Sequence, residues 1–196
     1  KHLSAYALTT EENSLLYKKI QKKEHAPVED DLAVSQIKTL LQIIPEYGFQ
    51  QYEISNYAIP GFESRHNSAY WHHIPYLGLG PSAHSFNGKS RQWNSPNLNQ
   101  YLSKISQGID YEEKETLDNS TLFNEKIMLE LRTREGINLT ALAELFGNNP
   151  VLNLKKYFAS EVQDSYYQIN NDHIILTDEG KLFADGIAAG GFIEEE

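Results

Sequence analysis

The 196-residue sequence contains no cysteine, and this absence excludes several kinds of function. A chain without thiols forms neither a disulfide framework nor a thiolate metal site. No stretch approaches the roughly 18 apolar residues that cross a membrane, and no secretion-signal pattern precedes the first strand. We therefore expect a cytoplasmic protein that has no transmembrane segment.

Basic residues are scarce relative to acidic ones. The chain has 17 Lys and Arg against 27 Asp and Glu, which gives a formal net charge of −10. Residues 121–196 carry 13 acidic and 6 basic groups, so most of the negative charge lies in the C-terminal third. Because affinity for nucleic acid comes largely from phosphate neutralisation by Lys and Arg, we expect no nucleic acid partner.

The N-terminal 60 residues show an alternation of strand and helix patterns. Residues 2–8 are apolar and aromatic like a strand, and polar helices are predicted over 12–23 and 27–44. A second strand is predicted over 49–55. This order is typical of the end of an α/β barrel or of an open parallel sheet. If the first strand lies at an exposed sheet edge, we expect dimers formed through that edge.

Residues 65–85 concentrate the unusual side chains of the sequence. The segment holds four of the seven histidines, together with Tyr70, Trp71 and Tyr76, and it bends at Gly78-Leu79-Gly80-Pro81. Flat rings, imidazoles and glycines together suit a pocket for a large, flat, apolar ligand. A buried pair of aromatic strands, whose histidines only complete hydrogen bonds, explains the same composition. We predict a short strand within 71–77 and exposed side chains for His72 and His73.

Gly78 to Ala83 formally matches the GxGxxA pattern of dinucleotide-binding folds. That pattern requires a preceding strand and a helix that begins at the glycines. Pro81 and the shortness of the preceding strand argue against such a site. A close approach of a cofactor to the glycine backbone stays compatible with the sequence.

The remaining sequence is predicted to be mostly helical. After a short helix over 99–107, residues 110–119 are charged and lack periodicity, so we place the domain boundary near 115 and predict domains 1–115 and 116–196. Three helices and a hairpin follow, which is a winged-helix pattern; they are predicted over 122–132, 139–146, 151–163 and 166–176. Residues 190–196 are expected to fray.

Several motifs in order resemble one protein family. They are Tyr52-Glu53-Ile54-Ser55-Asn56-Tyr57-Ala58, then His66-Asn67-Ser68-Ala69-Tyr70-Trp71 (HNxxYW), then Tyr76-Leu77-Gly78-Leu79-Gly80-Pro81-Ser82-Ala83-His84-Ser85. The sequence resembles the oxygen-independent coproporphyrinogen III oxidase-like radical S-adenosylmethionine proteins, over nearly the whole chain. The HNxxYW motif is similar to that of their heme-chaperone (HemW) branch.

The resemblance implies an α/β fold class. It implies the last strand–helix units of a partial (β/α) radical-SAM barrel, followed by a small helical, winged-helix-like C-terminal domain. A full-length parent would hold a 4Fe–4S cluster and S-adenosylmethionine, but the CxxxCxxC ligands of the cluster are absent from this chain. The sequence also begins inside a strand pattern, so we expect a C-terminal fragment that cannot perform the radical step alone.

Two functions follow from the resemblance. In the first, the parent binds heme, or a porphyrin, and transfers heme to client proteins. In the second, it is a coproporphyrinogen III oxidase, or dehydrogenase, that converts propionates to vinyl groups by oxidative decarboxylation. The HNxxYW motif favours the heme chaperone.

The resemblance also suggests site residues. His66 is predicted to ligate heme iron, with Asn67 orienting its ring and Tyr70 and Trp71 covering the macrocycle. Gly78 and Gly80 are predicted to lie against the cofactor. A purely structural role remains open for the motif, in which His66 and Asn67 cap a turn and the two aromatic residues belong to the core.

Overall fold

The computed structural model of the chain describes residues 1–110 and 112–194, and within them no helix is long and apolar enough to cross a membrane. The α-helices are α1 (Leu15–Gln21), α2 (Asp30–Ile43), α3 (Arg65–Trp71), α4 (Leu98–Gln107), α5 (Asn119–Glu130), α6 (Leu139–Phe146), α7 (Asn148–Glu161) and α8 (Ala184–Gly190). The strands are β1 (His2–Ser4), β2 (Gln50–Glu53), β3 (Asn56–Ala58), β4 (His84–Phe86), β5 (Ser90–Asn94), β6 (Glu112–Thr116), β7 (Ile137–Asn138), β8 (Tyr167–Asn170) and β9 (His173–Leu176). The fold is therefore α/β.

The chain divides into two compact units, Lys1–Glu63 and Ser64–Glu196. This division differs from the boundary near 115 that the sequence suggests. The reason lies inside the second unit, where Glu125 of α5 contacts both His73, just after α3, and Arg91 of β5. These contacts join residues 64–116 to the helices that follow them.

The first unit is built on a three-stranded sheet with the order β1-β3-β2. Both described strand pairings are antiparallel, so β1 and β2 run in the same direction but are separated by β3. The described strands of this unit therefore do not form an open parallel sheet, whereas the other alternative, the end of an α/β barrel, stays a prediction. The sequence from 49 to 55 was expected to be one strand, whereas the chain reverses direction after Glu53.

Buried Glu53 explains the reversal between β2 and β3. One oxygen of its carboxylate accepts the backbone N–H of Ser55 at 3.0 Å and the side-chain amide of Asn56 at 2.5 Å. A carboxylate that accepts hydrogen bonds from the next residues stabilises a tight turn. The chain is thus folded back at once, and β3 takes the place beside β2 that a parallel strand would need.

The second unit begins with α3, so the HNxxYW motif lies on a helix. Ser64 caps this helix, because its hydroxyl accepts the backbone N–H of Asn67 at 3.2 Å. The predicted strand over 71–77 is wrong; its only trace is an isolated antiparallel bridge between Tyr76 and Phe86. The bridge leads into an antiparallel sheet with the order β4-β5-β6.

Strand β6 occupies the region in which the sequence suggests a domain boundary. It pairs with β5 along its whole length, from Ser90↔Thr116 to Asn94↔Glu112. Side chains reinforce the pairing, since Trp93 donates its indole N–H to Glu113 at 3.0 Å. Charged residues at an exposed sheet edge give no periodic apolar signal, which is why the sequence suggests a boundary here and not a strand. Tyr111 lies outside the described residues.

The C-terminal helices and hairpin agree with the sequence. Helices α5, α6 and α7 confirm the three predicted helices, and β8 and β9 form the predicted hairpin. Asn171 and Asp172, the two residues between these strands, both have positive φ, as a two-residue hairpin turn of type I′ requires. The short strand β7 adds a third strand beside β9. The core between these elements contains Phe123, Ile127, Leu142, Leu154, Phe158 and Ile174, all fully buried.

The end of the described chain is held in place at Ile193. The side-chain amide of Asn124 donates to the carbonyl of Ile193 and accepts its backbone N–H, both at 2.9 Å. The expectation that residues 190–196 fray is therefore wrong for Ile193. Residues 195 and 196 lie outside the described part of the chain.

Candidate functional site

A row of five rings runs through the segment that stood out in the sequence. His66 meets Tyr70 edge-on, with ring centroids 4.8 Å apart, and Tyr70 lies 4.4 Å from Tyr76. Tyr76 lies 6.1 Å from Phe86, and Phe86 stacks on His73 at 4.3 Å with only 9° between the planes. We call these five side chains the aromatic row. It begins at an exposed imidazole and ends at a mostly buried one.

Helix α3 determines which residues of the HNxxYW motif meet. His66 and Tyr70 are four residues apart and therefore lie on one face of the helix. Trp71 is one residue further on and lies 5.5 Å from the guanidinium of Arg132. Asn67 follows His66 directly, and consecutive helical residues do not face each other. The structure thus brings Tyr70, and not Trp71, to the His66 ring.

His66 itself is exposed at the solvent end of the aromatic row. Among the described residues, none forms a hydrogen bond with its ring nitrogens. The ring meets that of Tyr70 edge-on, and the residue as a whole is exposed to solvent. An accessible imidazole is able to ligate a metal ion or to donate a hydrogen bond.

Gly78 and Gly80 lie in a loop whose backbone forms four hydrogen bonds with side chains. The N–H of Gly78 donates to the hydroxyl of Ser85 at 2.9 Å, and the N–H of Gly80 donates to the hydroxyl of Tyr101 at 3.1 Å. The side-chain amide of Asn94 donates to the carbonyls of Gly80 at 2.8 Å and Gly78 at 3.4 Å. The loop therefore has one defined conformation.

The two glycines are required for different reasons. A Cβ atom at Gly78 would lie 2.1 Å from the carbonyl oxygen of His84, so the chain itself makes the close approach there. Gly80 has a φ of +101°, which other residues rarely adopt, but the space around it is open. Only Gly80 thus leaves room for a ligand.

The loop presents two leucines to solvent. Leu77 is 74% exposed and Leu79 is 81% exposed, on either side of Gly78. Because the loop backbone is held by hydrogen bonds, these apolar side chains cannot easily turn inward.

A charged cluster lies at the inner end of the aromatic row. Glu125 forms an ion pair with Arg91 at 2.7 Å, and Nε2 of His73 lies 3.3 Å from the same carboxylate oxygen. The expectation that His73 is a surface residue is wrong, since its ring is mostly buried between Phe86 and Glu125. Its backbone has a φ of +56°, which directs the chain out of α3.

Opposing effects set the ionisation of this charged cluster. Burial alone would raise the pKa of the Glu125 carboxyl, but hydrogen bonds from His73 and Arg91 and the charge of Arg91 hold its pKa below the ordinary value. Burial raises the pKa of the Tyr76 hydroxyl, even though Arg91 acts in the opposite direction. Glu125 is therefore an anion at neutral pH and balances the charge of Arg91.

No sequence pattern indicates this charged cluster. His73, Arg91 and Glu125 belong to no local motif, and Arg91 and Glu125 are 34 residues apart. No group of three His, Cys, Asp or Glu side chains within 1–110 and 112–194 is arranged to hold a metal ion.

Comparisons with known proteins point to one group. Residues 117–183 match the HemN C-terminal domain family. Heme chaperone HemW of Mycobacterium tuberculosis is 29% identical over 187 residues, covering 95% of this chain and 46% of that protein. Heme chaperone HemW of Bacillus subtilis is 30% identical over 201 residues, covering 100% of this chain and 52% of that protein. The chain is HemN/HemW-like.

The solved structure of coproporphyrinogen III oxidase (HemN) from Escherichia coli, a radical SAM enzyme, shares the fold of this HemN/HemW-like chain. It superposes with a TM-score of 0.65 over 84% of this chain and 42% of that chain, at 14% identity. Such a low identity supports the fold alone. The chain spans about half the length of the curated HemW relatives it matches.

Proposed function

We propose that this chain is the heme-binding part of a heme chaperone that holds heme for transfer to client proteins. One observation carries the proposal. The HNxxYW motif forms a helix on which the His66 imidazole is exposed and meets the Tyr70 ring edge-on, in a chain whose relatives include proteins named heme chaperones.

His66 suits the role of an axial ligand. Heme brings four nitrogen donors to its iron, so a protein needs to supply only an axial group, and a neutral imidazole is a common one. The Tyr70 ring fixes the imidazole from one side. Gly80, with open space around it, would let a flat macrocycle approach the backbone. Asn67 and Trp71 would add contacts with the heme from the sides of α3.

The propionates of heme need no cation from the charged cluster. Arg91 is already neutralised by Glu125, so the cluster holds α5 and β5 together and leaves the carboxylates of a bound heme in solvent. The net negative charge of the chain would then repel the heme carboxylates, which favours release of heme over very tight binding.

We further propose how the chain fits a longer parent. Residues 1–115 would complete the end of a radical-SAM barrel, and residues 116–196 would form a winged-helix-like domain. A 4Fe–4S cluster and S-adenosylmethionine would be held by the parent, because this chain has no cysteine and does not offer the thiolates that a cluster requires. A cytoplasmic location and client proteins as partners, with no nucleic acid, are part of the same proposal.

The second candidate is a coproporphyrinogen III oxidase. Its support is the fold shared with the Escherichia coli HemN enzyme. The two functions differ in the ligand, since a chaperone recognises iron-bound heme, whereas an oxidase recognises an iron-free porphyrinogen.

Heme titration of the full chain tests the proposal. We expect hemin to give a Soret band typical of imidazole ligation, and His66→Ala to shift that band and weaken binding by on the order of tenfold. The matched control is His72→Ala, which removes an exposed histidine at the end of the same helix and should leave the spectrum and affinity unchanged.

Two results would contradict the heme-chaperone proposal. An unchanged Soret position and affinity in His66→Ala would leave the motif with a structural role only. Equal affinity of the wild-type chain for an iron-free porphyrin would show that iron is not recognised, and would favour the oxidase.

A further inference from the structure

Helix α4 leaves an apolar stripe uncovered. Leu98, Leu102 and Ile105 follow the spacing i, i+4, i+7 and are 56%, 55% and 44% exposed. Ile109, just past the end of the helix, is 51% exposed. We call these four side chains the α4 face. None of the residues of α4 is buried.

A helix of this kind needs a partner. An isolated helix of ten residues is marginal in water, and most helices in proteins are stabilised by packing of their apolar face. Asn97 caps the start of α4, and Gly108 and Ile109 close its end with hydrogen bonds to Ile105 and Lys104. These caps define the helix but leave its apolar surface in contact with water.

The surface extends beyond the helix. The hydroxyl of Tyr101 accepts the N–H of Gly80, so the loop that carries Leu77 and Leu79 is fastened beside the α4 face. Half-exposed side chains of this size, taken together, leave several hundred Å² of apolar surface, as much as the largest patch on a typical monomer.

Charge identifies the kind of partner. Charged residues make up 22% of the chain, yet Lys104 is the single charged residue in the sequence from 92 to 109. Two copies of a chain with a net charge of −10 repel each other over most of their surfaces, and this segment is where the repulsion is weakest. One lysine on an acidic chain does not favour an anionic lipid surface.

The spacing between the apolar residues of the α4 face is the same whether it is counted from the N-terminal or the C-terminal end. On the helix, Leu98, Leu102 and Ile105 follow the four-three spacing of a coiled-coil seam, and Ile109 follows four residues later, just beyond the helix end. In an antiparallel pair related by a two-fold axis between Ser103 and Lys104, Leu102 of each copy lies opposite Ile105 of the other. Leu98 then faces the segment of Ile109. Lys104 faces Ser103 of the other copy, so like charges do not meet.

We propose that the α4 face is an interface with a second copy of this chain, formed by antiparallel pairing of two α4 helices. The surface is small, so the dimer is weak and exchanges rapidly. It lies in the second compact unit, unlike the dimer through the edge strand β1 that the sequence suggests.

Sedimentation of the full chain over a wide concentration range tests the interface. We expect a reversible monomer–dimer equilibrium whose dissociation constant rises by on the order of tenfold in Leu102→Glu, because each copy then places a charged carboxylate against Ile105 of the other in place of an apolar contact. The matched control is Gln100→Glu, which adds the same charge on the opposite side of α4. It keeps an acceptor for the hydroxyl of Ser95 and should dimerise like the wild type.

A cross-linking experiment tests the register independently. The natural chain has no cysteine, so engineered thiols react only with each other. A mixture of Leu102→Cys and Ile105→Cys chains should form mixed disulfides faster than either variant alone, since the two positions lie opposite each other. A monomer at every concentration would overturn the proposal. So would a dimer that survives Leu102→Glu and is lost on Leu3→Glu in β1.

Discussion

Gly78→Ala is expected to destabilise the second unit by about 3 kcal/mol. The added methyl group would lie 2.1 Å from the carbonyl oxygen of His84 and 2.8 Å from its carbonyl carbon. Both atoms belong to the backbone, so no side chain can turn aside to make room. The expected response is loss of the bridge in which Tyr76 and Phe86 exchange hydrogen bonds at 2.8 and 2.9 Å. Urea unfolding of the full chain measures the change.

Two other glycines serve as matched controls for Gly78. Gly80→Ala meets no atom within 4 Å but must adopt a φ of +101°, so a loss of about 1 kcal/mol is expected from strain alone. Gly186→Ala lies in α8 with open space around it and should stabilise the chain by about 1 kcal/mol, because alanine favours helix. Equal effects at Gly78 and Gly80 would show that the contact with His84 is relieved without cost.

Glu125→Gln is expected to reduce the free energy of unfolding at neutral pH by about 2 kcal/mol. The substitution keeps the size of the side chain but removes the negative charge that Arg91 and His73 share. Arg91 is then left partly buried without a counter-charge. The control is Glu135→Gln, which breaks an exposed pair with Arg134 and should cost less than about 0.5 kcal/mol.

The effect of Glu125 should depend on pH in one direction. Its pKa in the folded chain is below the ordinary value of 4.5, so the folded state favours the ionised carboxylate. The stabilisation is therefore present above pH 4.5 and is lost as the pH falls through the lowered pKa. Wild type and Glu125→Gln should converge in stability on acidification. A difference that stays constant down to that range would contradict the ion-pair explanation.

The sequence predicted local structure better than long-range pairing. Helices α5 and α6 begin at side-chain caps, Asp118 and Asn138, and the hairpin that follows has a turn of only two residues. These signals lie within a few residues of each other. The sheet order β1-β3-β2 depends on the buried carboxylate of Glu53, whose burial no local pattern reveals.

The candidate site was likewise predicted only where its residues are close in sequence. The resemblance identified the HNxxYW segment, but its aromatic residues suggested a strand, and the helix-capping role of Ser64 was not recognised. That signal was present, because serine three residues before Asn67 is a typical start of a helix. No comparable signal exists for His73, Arg91 and Glu125, which come together only when α3, β5 and α5 pack.

The paired hydrogen bonds between Asn124 and Ile193 have a consequence for the end of the described chain. An asparagine amide has the same donor and acceptor as a peptide group, so it holds Ile193 as a neighbouring strand would. The entry of the chain into α5 and its exit after α8 are thereby held next to each other. Separating the end of α8 from α5 would therefore break two hydrogen bonds at once, so the last described residues belong to the helical core and do not form a loose tail.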